Sequence, residues 1–268
     1  MTGDLHIDRR VSALSSELWE ACATPRGLEG WYADRVTGAI ANGGTVRVEW
    51  PGLQSSAALE VAEWSPERRV VYRNGASRVA LEVSDQRVSL THSGLSATDD
   101  IEGFRSSWRV ALAVLAHSIE AHRGRQRRTA WLLARARTSA RIARLYFTEP
   151  EGLSAWLARG PGIPGEGEGY SMTTLDGRPM SGRVLTVEGG RDVALSWNEA
   201  DDSVLVFRSL PSPTHRDERI LASCWSRWTA PSSRHEGALG EPEVKQIEAE
   251  LERSMRRLAS ELDRGGVA

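Results

Sequence analysis

The sequence predicts an α+β protein made of two similar halves, each a curved antiparallel sheet packed against a long C-terminal helix. Three observations lead to this fold class. A short motif occurs twice along the chain, the elements that follow each copy have the same order, and each half ends on an amphipathic helix. With 268 residues, the chain is long enough for two domains that each bury a core.

The repeated motif sets the offset between the halves. Four residues recur 125 positions further on, so that Pro25, Gly27, Leu28 and Trp31 match Pro150, Gly152, Leu153 and Trp156. The order of predicted elements repeats as well. We therefore expect two domains, covering residues 1–124 and 125–268, joined in the arginine-rich stretch 123–128.

The first half predicts one strand, two short helices, five further strands and a long helix. In chain order these elements cover 5–12, 15–23, 25–32, 45–50, 57–64, 70–73, 77–84, 88–93 and 99–123. Turn residues such as Asn74-Gly75 separate the strands. Asp99 is the expected N-cap of the long helix, with Glu102 three residues later to complete a capping box.

The long helix of the first half has one apolar face. At 100° per residue, a set of apolar side chains of this helix lies within about 60° of Trp108: Phe104, Trp108, Ala111, Leu112, Leu115 and Ile119. His117 is on the opposite side. The apolar face is therefore expected to pack on the sheet, and His117 to face water.

The second half predicts the same series. Its strands, short helices and further strands cover 129–138, 141–147, 151–158, 170–175, 178–187, 192–197, 203–210 and 219–228. A final helix follows Pro242, which suits the first turn of a helix. Its apolar residues are three or four positions apart, at Val244, Ile247, Leu251, Met255, Leu258 and Leu262.

Charge and composition exclude several classes of partner. The net charge is −2 and the isoelectric point is about 6.3, so we expect neither nucleic acid nor a membrane as partner. The most apolar run, 110–116, is too short to span a bilayer. Two distant cysteines and a charged N-terminus favour a cytoplasmic protein. We expect no cofactor and no metal, because His117 and His122 are separated by about 140° on their helix.

The first half also carries a run of motifs in a characteristic order. They are Leu18-Trp19, Thr24-Pro25, Leu28, Trp31, Gly43-Gly44, 59–61, Pro66, 69–72 and the Leu-Thr-His-Ser-Gly segment 90–94. This run resembles the bacterial relatives of the heat-shock-protein ATPase activator, which belong to the START-like, helix-grip (SRPBCC) superfamily. The resemblance covers about residues 5–123. The second half resembles a diverged copy, with Arg144 where the first half has Trp19.

The resemblance implies two tandem helix-grip (START-like) domains. In this superfamily a seven-stranded antiparallel sheet grips the long helix, and the space between them often holds an apolar ligand. The superfamily also includes polyketide aromatase/cyclases. The eukaryotic activator makes much of its chaperone contact through an additional N-terminal domain, and we expect no counterpart of that domain in this sequence.

The functional expectation is a protein that binds a small hydrophobic molecule between sheet and helix without transforming it. The candidate ligand-binding residues are Trp108, Leu112, Trp31 and Trp64, although a large aromatic side chain is also a common core residue. His92 fits a structural turn or cap better than an acid or base, since no carboxylate or nucleophile is placed to orient it. Two alternatives stay open: an aromatase/cyclase-like enzyme, and a chaperone-linked or protein-interaction module.

Overall fold

The chain forms two compact units in the computed structural model, Met1–Arg127 and Arg128–Ala268. Residues 4–188, 191–229 and 239–264 are described. In that part of the chain, no helix has both the length and the apolar character needed to cross a bilayer.

The described residues of the first unit form seven strands and three α-helices, with a single 3-10 turn at Pro51–Leu53. They are β1 (Leu5–Arg10), α1 (Ser15–Ala23), α2 (Pro25–Glu29), β2 (Arg35–Gly38), β3 (Thr45–Trp50), β4 (Ser55–Ser65), β5 (Arg69–Asn74), β6 (Ser77–Ser84), β7 (Arg87–Ser93) and α3 (Ile101–His122). The strands form one antiparallel sheet in the order β1-β7-β6-β5-β4-β3-β2. A bulge between Val61 and Glu63 interrupts the register of β4 with β5, and such a bulge bends a sheet.

The second unit repeats this series. It contains β8 (Gln126–Arg137), α4 (Ala140–Thr148), α5 (Pro150–Trp156), β9 (Ala158–Arg159), β10 (Gly169–Thr174), β11 (Pro179–Glu188), β12 (Asp192–Trp197), β13 (Ser203–Pro211), β14 (Glu218–Thr229) and α6 (Glu241–Asp263). The strand order, β8-β14-β13-β12-β11-β10-β9, is the order of the first sheet. A bulge between Val184 and Thr186 lies in the equivalent strand pair. The prediction of two tandem helix-grip units, each a sheet with a long C-terminal helix, is confirmed.

The sequence repeat corresponds to repeated contacts. Trp31 Nε1–H donates to the Ala21 carbonyl oxygen at 3.0 Å, and Trp156 Nε1–H donates to that of Tyr146 at 2.7 Å. Both donor and acceptor are thus shifted by the same offset. Gly27 shows why the motif contains glycine, since a Cβ there would lie 2.0 Å from a backbone oxygen of α1.

Three local expectations are wrong. No strand was expected at the positions of β2 and β9, which are only four and two residues long. The N-cap of α3 is Asp100, whose Oδ1 accepts from the Gly103 N–H at 3.1 Å, while Asp99 accepts from the Ser96 N–H. The apolar face of α3 is not uniformly covered, because Phe104 is 36% exposed.

Apolar side chains of α6 pack against the second sheet. All six apolar residues predicted along α6 belong to one buried cluster, together with Trp197, Trp225 and Phe207. Phe207 meets the edge of Trp156 at a centroid distance of 4.9 Å. In the described residues of the second unit, α6 is thus held on its sheet by a continuous apolar cluster.

Candidate functional site

The first unit has a cavity between its sheet and α3, with a volume of about 180 Å³. Its walls come from α2 and the residues after it, from one face of β4 to β7, and from the first half of α3. The lining residues are Leu28, Trp31, Tyr32, Ala57, Leu59, Tyr72, Asn74, Ser77, Val79, Leu81, His92, Phe104 and Trp108. A dry cavity of about 150 Å³ can hold a benzene ring, so this cavity is large enough for a one- or two-ring molecule.

Aromatic rings form one wall of the cavity. Tyr32 stacks on Trp108 with centroids 5.6 Å apart and planes inclined by 12°. Trp50 meets Tyr32 edge-on at 5.3 Å, and its Nε1–H donates to the Tyr32 carbonyl oxygen at 2.9 Å. These contacts hold Tyr32 and Trp108 as a rigid surface against which a flat ring can pack.

The chain around α2 explains how Trp31 and Tyr32 reach the cavity. Thr24 caps α2, since its Oγ1 accepts from the Gly27 N–H at 2.9 Å, and Pro25 suits the first turn. The helix ends after five residues, so that the next residues turn toward the sheet. The bond from the Trp31 indole to α1 then fixes this segment.

His92 connects β7 to α3 and to β6. The Trp108 Nε1–H donates to His92 Nδ1 at 3.1 Å, and Ser77 Oγ lies 2.7 Å from His92 Nε2. An indole nitrogen can only donate, so Nδ1 is the acceptor and the proton of the neutral ring is on Nε2. His92 therefore donates to Ser77. Burial lowers the pKa of His92, against an opposing effect of Asp99, which favours this neutral ring.

The Ser77–His92 pair has the distance of a nucleophile and its base, but the wrong proton arrangement. A base must offer a lone pair to the hydroxyl. Nε2 carries the proton, and the lone pair of Nδ1 is occupied by Trp108. In this geometry His92 does not activate Ser77. The sequence analysis placed His92 at the end of a strand with a structural role at a turn or cap; it is the penultimate residue of β7, where it links Trp108 to Ser77.

The tyrosines of the cavity are held neutral. Burial raises the pKa of Tyr32 to about 12 and raises that of Tyr72 well above its usual range. The Tyr72 hydroxyl donates to the Cys22 carbonyl oxygen at 2.8 Å. Among the described lining residues none is Asp, Glu, Lys or Arg. The cavity is thus an uncharged aromatic space with a few hydroxyl and amide groups.

The four predicted site residues separate into two pairs. Trp31 and Trp108 line the cavity. Leu112 is not among the lining residues and is completely buried. Trp64 also lies outside the lining and pairs with Trp19 at a centroid distance of 6.2 Å.

Sequence reasoning missed Tyr32, Ser77 and the binding partners of His92. Tyr32 directly follows Trp31 at the end of a predicted helix, and Ser77 is on a predicted strand. Their positions gave no sign that four separate elements bring them together.

The separation of about 140° between His117 and His122 on a helical wheel predicted that their side chains would lie apart, and this expectation is wrong. Their rings lie 5.3 Å apart in a T-shaped contact. Because imidazole side chains extend several ångströms from the helix, five-residue spacing does not keep the two rings apart.

Comparisons with known proteins give structural neighbours but no sequence family. No protein-family model matches the chain, and no curated protein matches it. Among solved structures, the chain is similar to the di-domain ARO/CYC BexL from the BE-7585A biosynthetic pathway, at 13% identity and a TM-score of 0.42, covering 100% of this chain and 99% of that one. It is similar to DynU16 from the dynemicin biosynthetic locus, at 16% identity and a TM-score of 0.41, covering 98% and 99%.

A third similar structure is the Aha1 dimer from Colwellia psychrerythraea, at 19% identity and a TM-score of 0.41. It covers 46% of this chain and 100% of the other. The strand order and the long C-terminal helices of the structure itself define the fold class: two tandem helix-grip units, the first with a cavity between its sheet and its long helix.

Proposed function

We propose that the first unit binds a small, ring-containing hydrophobic molecule in the cavity between its sheet and α3, and releases it unchanged. The observation that carries this proposal is the stacked pair of Tyr32 and Trp108 on the wall of an uncharged cavity. A flat apolar ring gains by leaving water for such a surface.

Binding without chemistry is supported by the state of the polar groups. The tautomer of His92 leaves Ser77 without a base, and the raised pKa of Tyr32 keeps its phenol protonated near neutral pH. Paired acid and base groups, on which general acid–base catalysis depends, are not assembled among the described lining residues.

A cavity-filling variant tests the proposal. Ala57 and Ala58 are neighbours on β4, but only Ala57 lines this cavity, since alternate side chains of a strand face opposite sides. Ala57→Phe should therefore weaken binding of naphthalene-sized ligands at least tenfold, and Ala58→Phe should leave it unchanged. Titration calorimetry and quenching of tryptophan fluorescence would measure both variants.

Recovery of the ligand tests the second part of the proposal. After incubation with the protein, mass spectrometry should find the ligand chemically intact. Equal affinities of the Ala57→Phe and Ala58→Phe variants would contradict binding in this cavity. A modified ligand, formed by wild type and not by Ala57→Phe, would contradict binding without chemistry.

A further inference from the structure

The chain of hydrogen bonds in the cavity wall ends at the Ser77 hydroxyl, whose own proton is not used in that chain. The chain runs from the Trp108 indole through His92 to Ser77 Oγ, which accepts at its end. A serine hydroxyl that accepts a hydrogen bond still has its own proton to donate. That proton cannot go back to His92 Nε2, because this nitrogen is itself the donor.

Within the described residues, the side chain of Ser77 has His92 as its hydrogen-bond partner and no acceptor for its own proton. Ser77 is part of the cavity wall and is the first residue of β6, where it pairs with Asn74 of β5. The spare O–H is therefore available to whatever occupies the cavity.

We propose that Ser77 determines which ligands the cavity selects, by donating a hydrogen bond to a neutral acceptor oxygen on the ligand. This inference rests on the proposed function, because it concerns the same cavity. The preferred class is a cyclic ketone or similar ring that carries a carbonyl oxygen next to an aromatic face.

The remainder of the cavity explains why this one hydroxyl matters. Stacking on Tyr32 and Trp108 is favourable for any flat ring, whether or not that ring carries an oxygen atom. A carbonyl oxygen that enters an apolar space without a donor loses its hydrogen bonds to water and is disfavoured. A donor on the wall removes that penalty. An ionised carboxylate gains less, since no described lining residue carries a positive charge.

Two probes with one skeleton test the proposal: α-tetralone, which has a ring ketone, and tetralin, which lacks it. The measured quantity is the ratio of their dissociation constants, so that general losses of affinity cancel. In Ser77→Ala, the preference for the ketone should fall by about 3- to 10-fold, the value of one uncharged hydrogen bond. Ser77→Thr keeps a hydroxyl and should retain the wild-type ratio.

Ser89→Ala is the matched control. Ser89 is on the neighbouring strand β7, and its hydroxyl donates to Asp8 away from the cavity. This variant loses a serine hydrogen bond and should keep the wild-type ratio. Tyr32→Phe keeps the stacking ring and removes the phenol hydroxyl, so it tests whether Tyr32 instead of Ser77 supplies the donor. We expect this variant to keep most of the preference for the ketone.

The outcomes separate the two claims. If both probes bind and Ser77→Ala keeps the wild-type ratio, or if Tyr32→Phe alone abolishes it, the role of Ser77 is wrong while the binding function stands. If wild type binds neither probe at millimolar concentration, the proposed function fails, and the inference fails with it.

Discussion

One substitution made at two tryptophans should have clearly different effects on the first unit. Trp108 donates from Nε1 to His92, which is only 3% exposed. Trp64 also has a buried Nε1, but this atom has no hydrogen-bond partner among the described residues. Replacement by Phe removes the N–H in both cases and costs a similar amount of packing.

The expected difference follows from the hydrogen bonds. Trp108→Phe leaves the buried Nδ1 of His92 without its donor, which costs about 1–3 kcal/mol. Trp64→Phe removes an unsatisfied donor and should cost little beyond the lost packing. We therefore expect Trp108→Phe to destabilise the first unit by about 1–3 kcal/mol more than Trp64→Phe does.

Amide hydrogen exchange is the suitable assay, because two units in one chain do not unfold as a single two-state system. The exchange free energies of β6 and β7 report on the first unit alone. Nitrogen-15 shifts of His92 provide a second readout, since they distinguish the protonated from the accepting nitrogen. Equal destabilisation by the two variants, or a larger loss for Trp64→Phe, would refute the proton arrangement described for His92.

Three further predictions concern other parts of the fold. Gly152→Ala places a Cβ 2.2 Å from a backbone oxygen of α4, so it should destabilise the second unit by about 1–3 kcal/mol or more. At Gly169 the nearest atom to such a Cβ is 3.7 Å away, so Gly169→Ala should change the stability by less than about 0.5 kcal/mol. Chemical denaturation of the two variants would compare these free energies. Asp192→Asn leaves the cross-strand partner Arg208 without its buried carboxylate and should cost about 3–5 kcal/mol by the same assay. The pKa of His92 is lowered in the folded state, so on acidification the unfolded state takes up this proton at a higher pH than the folded state does. The stability of the first unit should therefore fall as the pH drops below about 6.5. Denaturation measured over a series of pH values should show this fall in wild type, and His92→Gln should lack the part of it that is due to His92.

The sequence contained most of the fold because the information was periodic. Alternating strands, turn residues and the motif around Trp31 and Trp156 occur in the same order in both halves, so the elements predicted in one half support those predicted in the other. The strands β2 and β9 were missed because two to four residues are too few to show a period.

The site was less accessible from the sequence. Trp108 and Trp31 were found because they are large and lie on predicted elements. Leu112 shares the apolar face of α3 with Trp108, yet one residue enters the core and the other borders the cavity. A helical wheel gives the direction of a side chain around the helix axis but not what it meets along the axis, and Leu112 is one turn further along α3 than Trp108.

The proposed ligand binds the first unit, so the second unit of the same molecule can serve as an internal reference for ligand binding. Tyr32 borders the cavity in the first unit, whereas Leu157, at the same place in the repeat, is buried in the second. A ligand stabilises only the state that binds it, so it should raise the melting temperature of the first unit and leave that of the second in place. Changes of buffer or salt act on both units in the same tube, and the spacing between the two transitions thus becomes the measure of occupancy.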